Sequence, residues 1–394
     1  MNEFWQTFFD TDRARIGTGS SKWDNLGKLF GNADAIPMWV ADMDFPTAPA
    51  VTEALVKRAQ HGLFGYNVAP ATAKQAVCDW MQRRHGAHIE PDWIFSSPGV
   101  VDSIFHTLCA LTGPDDPVLI QQPVYGPFRG MTVKSGRPLA KSRLIETEDG
   151  FVMDYDDLEK QFASGVKAMI LCNPHNPVGR IWTKDELTRL LELCNRYGVL
   201  LLDDEIHLDF ELDGKCTSLQ TLPGADHVIT FTASTKTFNL AGLKQSSVII
   251  RNPELRERVQ KRFDDAKVCG ENIFGILAQT VAYETGDDYV DNLCEYLRGN
   301  RDYAEKFINE QLPFARCHHL EGTYLLWVDF TALQGRMTQD ELKEFMSHKA
   351  GVALSNGTDF GDGGELHMRV NLATQRDHIV RGLNQMKAAL EELA

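Results

Sequence analysis

Residues 183–207 read TKDELTRLLELCNRYGVLLLDDEIH, and this stretch decides the fold. Thr183, followed three residues later by Glu186, forms a capping box in which each side chain satisfies a backbone N–H at a helix start. The helical pattern that follows runs to residue 197. Gly198 is placed to end it in a left-handed turn. The next four residues, Val199-Leu200-Leu201-Leu202, are apolar on both faces, as expected of a strand inside a parallel sheet covered by helices. That strand closes on an acid, Asp204.

The same alternation extends to both sides. Short apolar runs at residues 93–96, 118–121, 168–172, 228–231 and 247–250 read as further strands, and residues 101–111 and 154–162 as further helices. Two helical segments, 49–61 and 71–84, end at Gly62 and Gly86 and lead into this region. The pattern predicts an α/β domain on a largely parallel sheet. It changes after about residue 286. A polar helix over 289–311, a strand-like run from Tyr324 to Phe330, a helix over 338–349, a strand over 367–372 and a final helix predict a second, smaller α+β domain.

At 394 residues the chain is long enough for two domains, and its 43% hydrophobic content fills a substantial core. A formal net charge of −15 argues against a nucleic-acid footprint or an anionic-membrane binder. The segment Met1-Asn2-Glu3-Phe4-Trp5-Gln6 has neither a basic n-region nor an apolar h-region, and no apolar run approaches the ~20 residues needed to span a bilayer. The expectation is a soluble, cytoplasmic protein that engages neither nucleic acid nor membrane. Eight cysteines (Cys78, Cys109, Cys172, Cys194, Cys216, Cys269, Cys294, Cys317) are scattered without C-x-x-C spacing. Reduced thiols are expected, with no disulfide framework and no metal.

In open parallel sheets, ligands sit outside the carboxyl ends of the strands. Several chemically distinctive residues fall at such ends. Lys236 follows Val228-Ile229-Thr230-Phe231, downstream of an Asn-Pro turn and of strand-terminal Asp204, an arrangement that suits an anchor for an aldehyde cofactor. Pyridoxal phosphate needs an amine for its carbonyl, an acid for its ring nitrogen, and donors for its phenolate and phosphate. Asp204 beside the pyridine nitrogen would keep it protonated. With Asp203, Glu205, His207 and Asp209 it also makes an acidic cluster whose spacing fits a metal site or a solvated strand end.

Asn176 lies in Asn173-Pro174-His175-Asn176-Pro177-Val178-Gly179, a rigid turn by composition. Its amide could donate to the cofactor's phenolic oxygen, with His207 assisting. Ser97-Pro98-Gly99-Val100-Val101-Asp102 enters a helix whose free N–H groups suit a phosphate dianion. Tyr125 could stack on a planar ring or simply fill the core. Lys244 could neutralise a phosphate or stand exposed. Arg369, in a short apolar strand, has the planar fork to clamp a carboxylate. Each signal is modest alone; their order along the chain is strong.

That order resembles the fold-type I pyridoxal-phosphate enzymes of the class I/II aminotransferase superfamily. Asn176-Pro177-Val178-Gly179, Asp204-Glu205-Ile206-His207, Lys236 and Arg369 carry the resemblance. A narrower likeness, to the cystathionine β-lyase/C–S lyase branch, rests on Arg15-Ile16-Gly17-Thr18, Ser21-Lys22-Trp23-Asp24, Met38-Trp39-Val40-Ala41-Asp42-Met43-Asp44-Phe45 and Lys236-Thr237-Phe238-Asn239-Leu240-Ala241-Gly242-Leu243. That branch has His, as at His207, where typical aminotransferases have Tyr.

The resemblance implies a large PLP-transferase-like domain (residues 49–285) with a mainly parallel seven-stranded sheet, and a small α+β domain from both termini (1–48 and 286–394). It implies a homodimer with shared active sites. Lys236 would carry the cofactor aldehyde and Asp204 would pair with the ring nitrogen. Asn176 and His207 would face the phenolate, and Tyr125 would stack on the ring. The phosphate would be held by the Val100 and Val101 amides, Lys244, and Tyr66 from the other subunit. Arg369, with Ala41 and Trp39, would hold the carboxylate of an amino-acid substrate. The sequence departs from the common pattern at Lys244, where many relatives have Arg, and at Thr235, often Ser.

The implied activity is carbon–sulfur β-elimination from L-cystathionine or another L-cysteine S-conjugate. An aminotransferase for aromatic amino acids or histidinol phosphate would use the same residues, and a binding protein on this fold would retain them without turnover.

Overall fold

The computed structural model describes residues 1–268 and 272–393; Cys269 lies outside them. Its centre is a seven-stranded sheet ordered Ile94–Ser97, Ser246–Ile250, Val228–Thr232, Leu200–Asp204, Ala168–Cys172, Val118–Gln122, Leu139–Arg143. Six of these strands point the same way, five of them paired side by side as a parallel ladder. Ser246–Ile250 is antiparallel to both of its neighbours. The residues between Val228–Thr232 and this strand form only a four-residue helix, Ser234–Thr237, and a short turn, Ala241–Leu243. They do not make the covering helix that a parallel crossover usually carries.

The helix after Thr183 spans Lys184–Tyr197, with both halves of the Thr183/Glu186 capping box formed and Gly198 left-handed at φ 67°. The cap contributes about 1 kcal/mol. Leu187, Leu190, Leu191 and Cys194 face the sheet. Strand Leu200–Asp204 feeds two separate cores, because successive side chains point to opposite faces. Leu201 joins Leu119, Met169 and Leu171 under that helix. Leu202 joins Ile120, Ile170 and Ile229 under helices Val100–Leu111 and Pro253–Asp265.

A second, five-stranded sheet combines the two ends of the chain. Ile36–Met38 pairs parallel with Val352–Asn356; His367–Asn371, Leu325–Asp329 and Arg316–Cys317 follow antiparallel. Several elements carry no clear sequence signal. Edge strand Leu139–Arg143 has polar residues at Lys141, Ser142 and Arg143 instead of an apolar run, and Ile36–Met38 contains a proline. Helix Pro127–Lys134 is another. The helix expected over 338–349 is a helical turn, Gln339–Glu344, capped by Thr338, that widens into a π-type turn over Phe345–Lys349. No helix among the described residues is long and apolar enough to cross a membrane.

Candidate active site

In the parallel sheet, Cys172 lies opposite Asp204, and Asp204 opposite Phe231. The segments leaving these strands therefore converge on one cavity of about 200 Å³. Tyr125, Asn176, Asp204, His207, Lys236 and Lys244 line it, together with Val100, Val101 and Ala41.

Lys236 stands on the short helix Ser234–Thr237, and its Nζ donates to the Ala41 carbonyl at 2.5 Å. Burial, reinforced by the Arg369 cation, pulls its amine down to about 8. Asp204 Oδ1 accepts only the Ile206 N–H, at 3.1 Å, and burial raises its acid to about 7. Both groups have lost water without gaining a full partner, so both shift toward neutrality. A cationic ring nitrogen against Asp204 would restore its carboxylate. His207 is buried and its imidazole is held well below the usual range by burial, with Lys236 and Arg369 adding to it, so it is neutral. Its Nδ1 has no partner.

Asn176 is oriented by Arg369, whose Nη1 donates to Asn176 Oδ1 at 2.9 Å. The amide nitrogen is thereby left as the donor end. The Asn176 carbonyl accepts the Tyr125 N–H at 3.0 Å, which ties the aromatic wall to the same turn. Burial raises the Tyr125 phenol, with the Asp204 charge second. At the far end, helix Val100–Leu111 begins at Gly99 with no side-chain cap, which leaves its first N–H groups open toward the cavity; Lys244 and Ser246 complete that end.

Arg369 comes from the other sheet. Its Nη2 donates to the Trp39 carbonyl at 2.9 Å and to Ser355 Oγ at 3.1 Å, its guanidinium lies 4.8 Å from the Phe360 ring centre, and Nε has no partner. Burial brings it down to about 10. An arriving carboxylate would supply the missing acceptor.

The structure gives three further sequence readings a definite place. The Trp39 indole points away from the cavity, donating to the Lys22 carbonyl at 3.0 Å and packing on Phe30; only its carbonyl serves the site, through Arg369. Tyr66 is fully exposed on the loop after helix Pro49–His61 and does not line its own chain's cavity. The acidic cluster is split by strand alternation. Asp204 and His207 face the cavity, whereas Asp203 and Glu205 lie together away from it near Leu219, whose N–H donates to Glu205 at 3.1 Å. Among the described residues no three His, Cys, Asp or Glu side chains converge in a metal-binding group.

Segment 39–45 is the part that local patterns missed. Asn371 Nδ2 donates to the Val40 and Asp42 carbonyls, Tyr324 Oη to that of Ala41, Arg15 and Asn239 to that of Met43, and Asn239 also to that of Phe45. Asp44 accepts from Lys22 at 2.6 Å, Arg15 at 2.7 Å and Trp23 at 2.9 Å. The signal was present in the polar-aromatic motif at residues 15–24, but its partner is 20 or more residues away in sequence.

The chain belongs to the aminotransferase class I and II family, which it matches over residues 33–384. Among its relatives, cystathionine beta-lyase PatB of Bacillus subtilis (strain 168) is 42% identical over 386 residues, covering 97% of this chain and 99% of that protein. The crystal structure of cystalysin from Treponema denticola, which contains pyridoxal 5'-phosphate, superposes with a TM-score of 0.94 at 35% identity, covering 98% of this chain and 99% of that one. The PLP-bound C-S lyase from Staphylococcus hominis superposes at 0.90 and 31% identity, covering 97% of each. The site fits that cofactor: an amine, an under-partnered buried acid, an oriented amide donor and an uncapped helix start lie around one cavity.

Proposed function

We propose that this chain is a pyridoxal-phosphate-dependent carbon–sulfur β-lyase that cleaves L-cystathionine or related L-cysteine S-conjugates to a thiol, pyruvate and ammonia. The observation that carries this reading is Lys236 and Asp204 on one cavity, with a buried Arg369 that is bonded to the cavity-lining Asn176 and retains an unpartnered Nε, all in a chain 42% identical to a cystathionine β-lyase along nearly its whole length. His207, three residues after Asp204, agrees with the lyase branch.

When bound, the cofactor supplies an electron sink for the charge that develops at the substrate Cα. Lys236 anchors it and, once displaced by the substrate amine, takes the Cα proton at Nζ as general base. An amine near 8 is matched to that task. Asp204 would keep the ring nitrogen cationic, and neutral His207 and the Asn176 amide would serve the phenolic oxygen. Arg369, with the Ala41 backbone, would hold the substrate carboxylate and so orient the Cα–H bond for proton removal at Lys236. Tyr125, in the cavity wall, would stack on the ring. Lys236, or water, returns a proton to the departing sulfur.

We also propose a homodimer. Leu63, Phe64, Tyr66 and Val68 form an exposed apolar run, which a second copy would cover while offering Tyr66 to its neighbour's phosphate. The division into residues 49–285 and 1–48 with 286–394, and a cytoplasmic setting, belong to the same reading; the seven described cysteines are all unpaired thiols.

Purified holoenzyme given L-cystathionine without a keto-acid acceptor is expected to release pyruvate, ammonia and thiol in equal amounts. Turnover that strictly requires an acceptor would make it an aminotransferase. A stable substrate-bound spectrum without product would make it a binding protein.

A further inference from the structure

We infer that the Ala41 carbonyl, held by the Tyr324 hydroxyl, is the docking point of the free Lys236 amine, and that Tyr324 is a positioning residue for the base. The inference rests on Lys236 being the cofactor anchor and base proposed above, and it assigns a role to Tyr324, which does not line the cavity.

The geometry is closed on every side. A backbone carbonyl has two lone pairs; here one accepts Lys236 Nζ at 2.5 Å and the other Tyr324 Oη at 3.1 Å. The oxygen cannot turn away, because the carbonyls on both sides of it are held by Asn371 Nδ2, at 2.6 Å and 2.7 Å. Tyr324 is itself fixed. Its side chain is fully buried, standing edge-on to Phe210 at 4.9 Å and to His207 at 5.6 Å.

The chain is also strained where it aims this ring. Thr323, a β-branched residue, sits at φ +68°, a conformation such residues rarely adopt. A Cβ at Gly322 would stand 2.7 Å from Ile181. Strain of this kind persists only where surrounding structure over-determines it.

Two consequences follow for the amine. Donating one hydrogen to a fixed oxygen removes most of the rotational freedom of the long lysine side chain, so the nitrogen lone pair sweeps a narrow cone instead of a sphere. The second is electrostatic. A carbonyl that already accepts a phenol hydrogen is a weaker acceptor for an ammonium, which favours the neutral amine, in the same direction as the burial that lowers Lys236.

The test uses two replacements of opposite electronic sense at position 324. Tyr324→Phe removes the donor; 3-fluorotyrosine keeps the shape and makes the phenol a stronger donor. The rate of covalent capture of pyridoxal phosphate by the apoprotein, followed by absorbance against pH, reads the free amine directly. The midpoint is expected to rise in Tyr324→Phe and to fall with 3-fluorotyrosine. In the holoenzyme, exchange of the α-hydrogen of L-alanine in D₂O should slow about tenfold in Tyr324→Phe near neutral pH, with KM for L-cystathionine within about twofold of wild type.

A midpoint and an exchange rate unchanged in either protein would overturn the inference. So would midpoints displaced in the same direction by both replacements, because that is what loosened packing produces. If Tyr324→Phe does not fold, the fluorinated protein alone decides by the sign of its shift. Failure of the wild-type apoprotein to capture the aldehyde at Lys236 would instead strike the proposed function.

Discussion

The carboxyl edge of the seven-stranded sheet and the segment 39–45 meet at Lys236, yet different physics holds each in place. The edge is a product of local structure. Parallel strands with aligned ends bring Asn176, Asp204 and Lys236 over one cavity: Asp204 ends its strand, and Asn176 and Lys236 follow within a few residues of theirs. Segment 39–45 has almost no regular structure of its own. Side chains from residues 15–24, 239, 324, 369 and 371 grip its carbonyls and its acid one at a time. The sheet can place a chemical group with backbone ladders alone. A wall that must present a particular carbonyl to a particular amine needs long-range side-chain donors, and its cost is several buried polar groups that must all find partners.

The largest effect should come from the edge. Lys236→Ala is expected to abolish the ~420 nm band of the anchored cofactor and to lower turnover by about 10⁴-fold, with the thermal midpoint of the apoprotein nearly unchanged. Absorbance and a pyruvate assay check both, and normal turnover would remove Lys236 as the base. Next is Arg369→Lys, at the junction of the two regions. It keeps the charge but loses the fork that reaches Asn176, Trp39 and Ser355 together. About a 10²-fold fall in kcat/KM is expected, carried mainly by KM; an unchanged KM for L-cystathionine would mean the carboxylate binds elsewhere.

Segment 39–45 should answer in stability more than in chemistry. Lys22→Met leaves the buried Asp44 with Arg15 and Trp23 only, and is expected to cost about 3 kcal/mol in urea unfolding. Burial pushes the Asp44 acid up, but Lys22, Trp23 and Arg15 outweigh it and hold it at about 2. A depressed carboxyl contributes stability above its unfolded value near ~4, and loses it as pH falls toward 2. The variant should therefore lose less stability than wild type over that acid window, and an identical acid dependence would mean Lys22 does not set Asp44.

The smallest effect is expected on the far side of the sheet. Neither oxygen of Asp203 has a donor. Burial, then the charge of Glu205, raises its acid well above the usual range, so a proton shared with Glu205 is what satisfies it. A raised carboxyl stabilises most at low pH and loses that contribution as pH rises through its folded value. Asp203→Asn should be near neutral at pH 5 and gain about 1 kcal/mol at pH 8, with activity retained. A pH-independent difference would mean that Asp203 does not carry that proton.

Much of the edge was legible in the sequence. The capping box at Thr183, the stop at Gly198 and the two-faced apolar strand after it follow from interactions within a few residues, and they appear as expected. The acid at the end of that strand and the lysine after the next were legible for the same reason. Trp39 stands with Ala41 in the substrate wall that the family resemblance implies, but a long-range partner decides its direction: the indole donates to the Lys22 carbonyl and packs on Phe30, and only its carbonyl reaches the site through Arg369. Tyr324 was read only as part of an apolar strand, since nothing local distinguishes a core tyrosine from one whose hydroxyl ends on a catalytic loop.

By itself the sequence determined the alternation of strands and helices and the order of amine, acid and amide along the chain. Periodicity and capping act over short distances and are written into neighbouring residues. Only the tertiary structure decided which face of strand Leu200–Asp204 holds the cavity, which carbonyl receives the Lys236 amine, and that residues 15, 41, 236, 324 and 369 share one neighbourhood. Those contacts join positions up to hundreds of residues apart, and they form only when two sheets built from different parts of the chain close on each other.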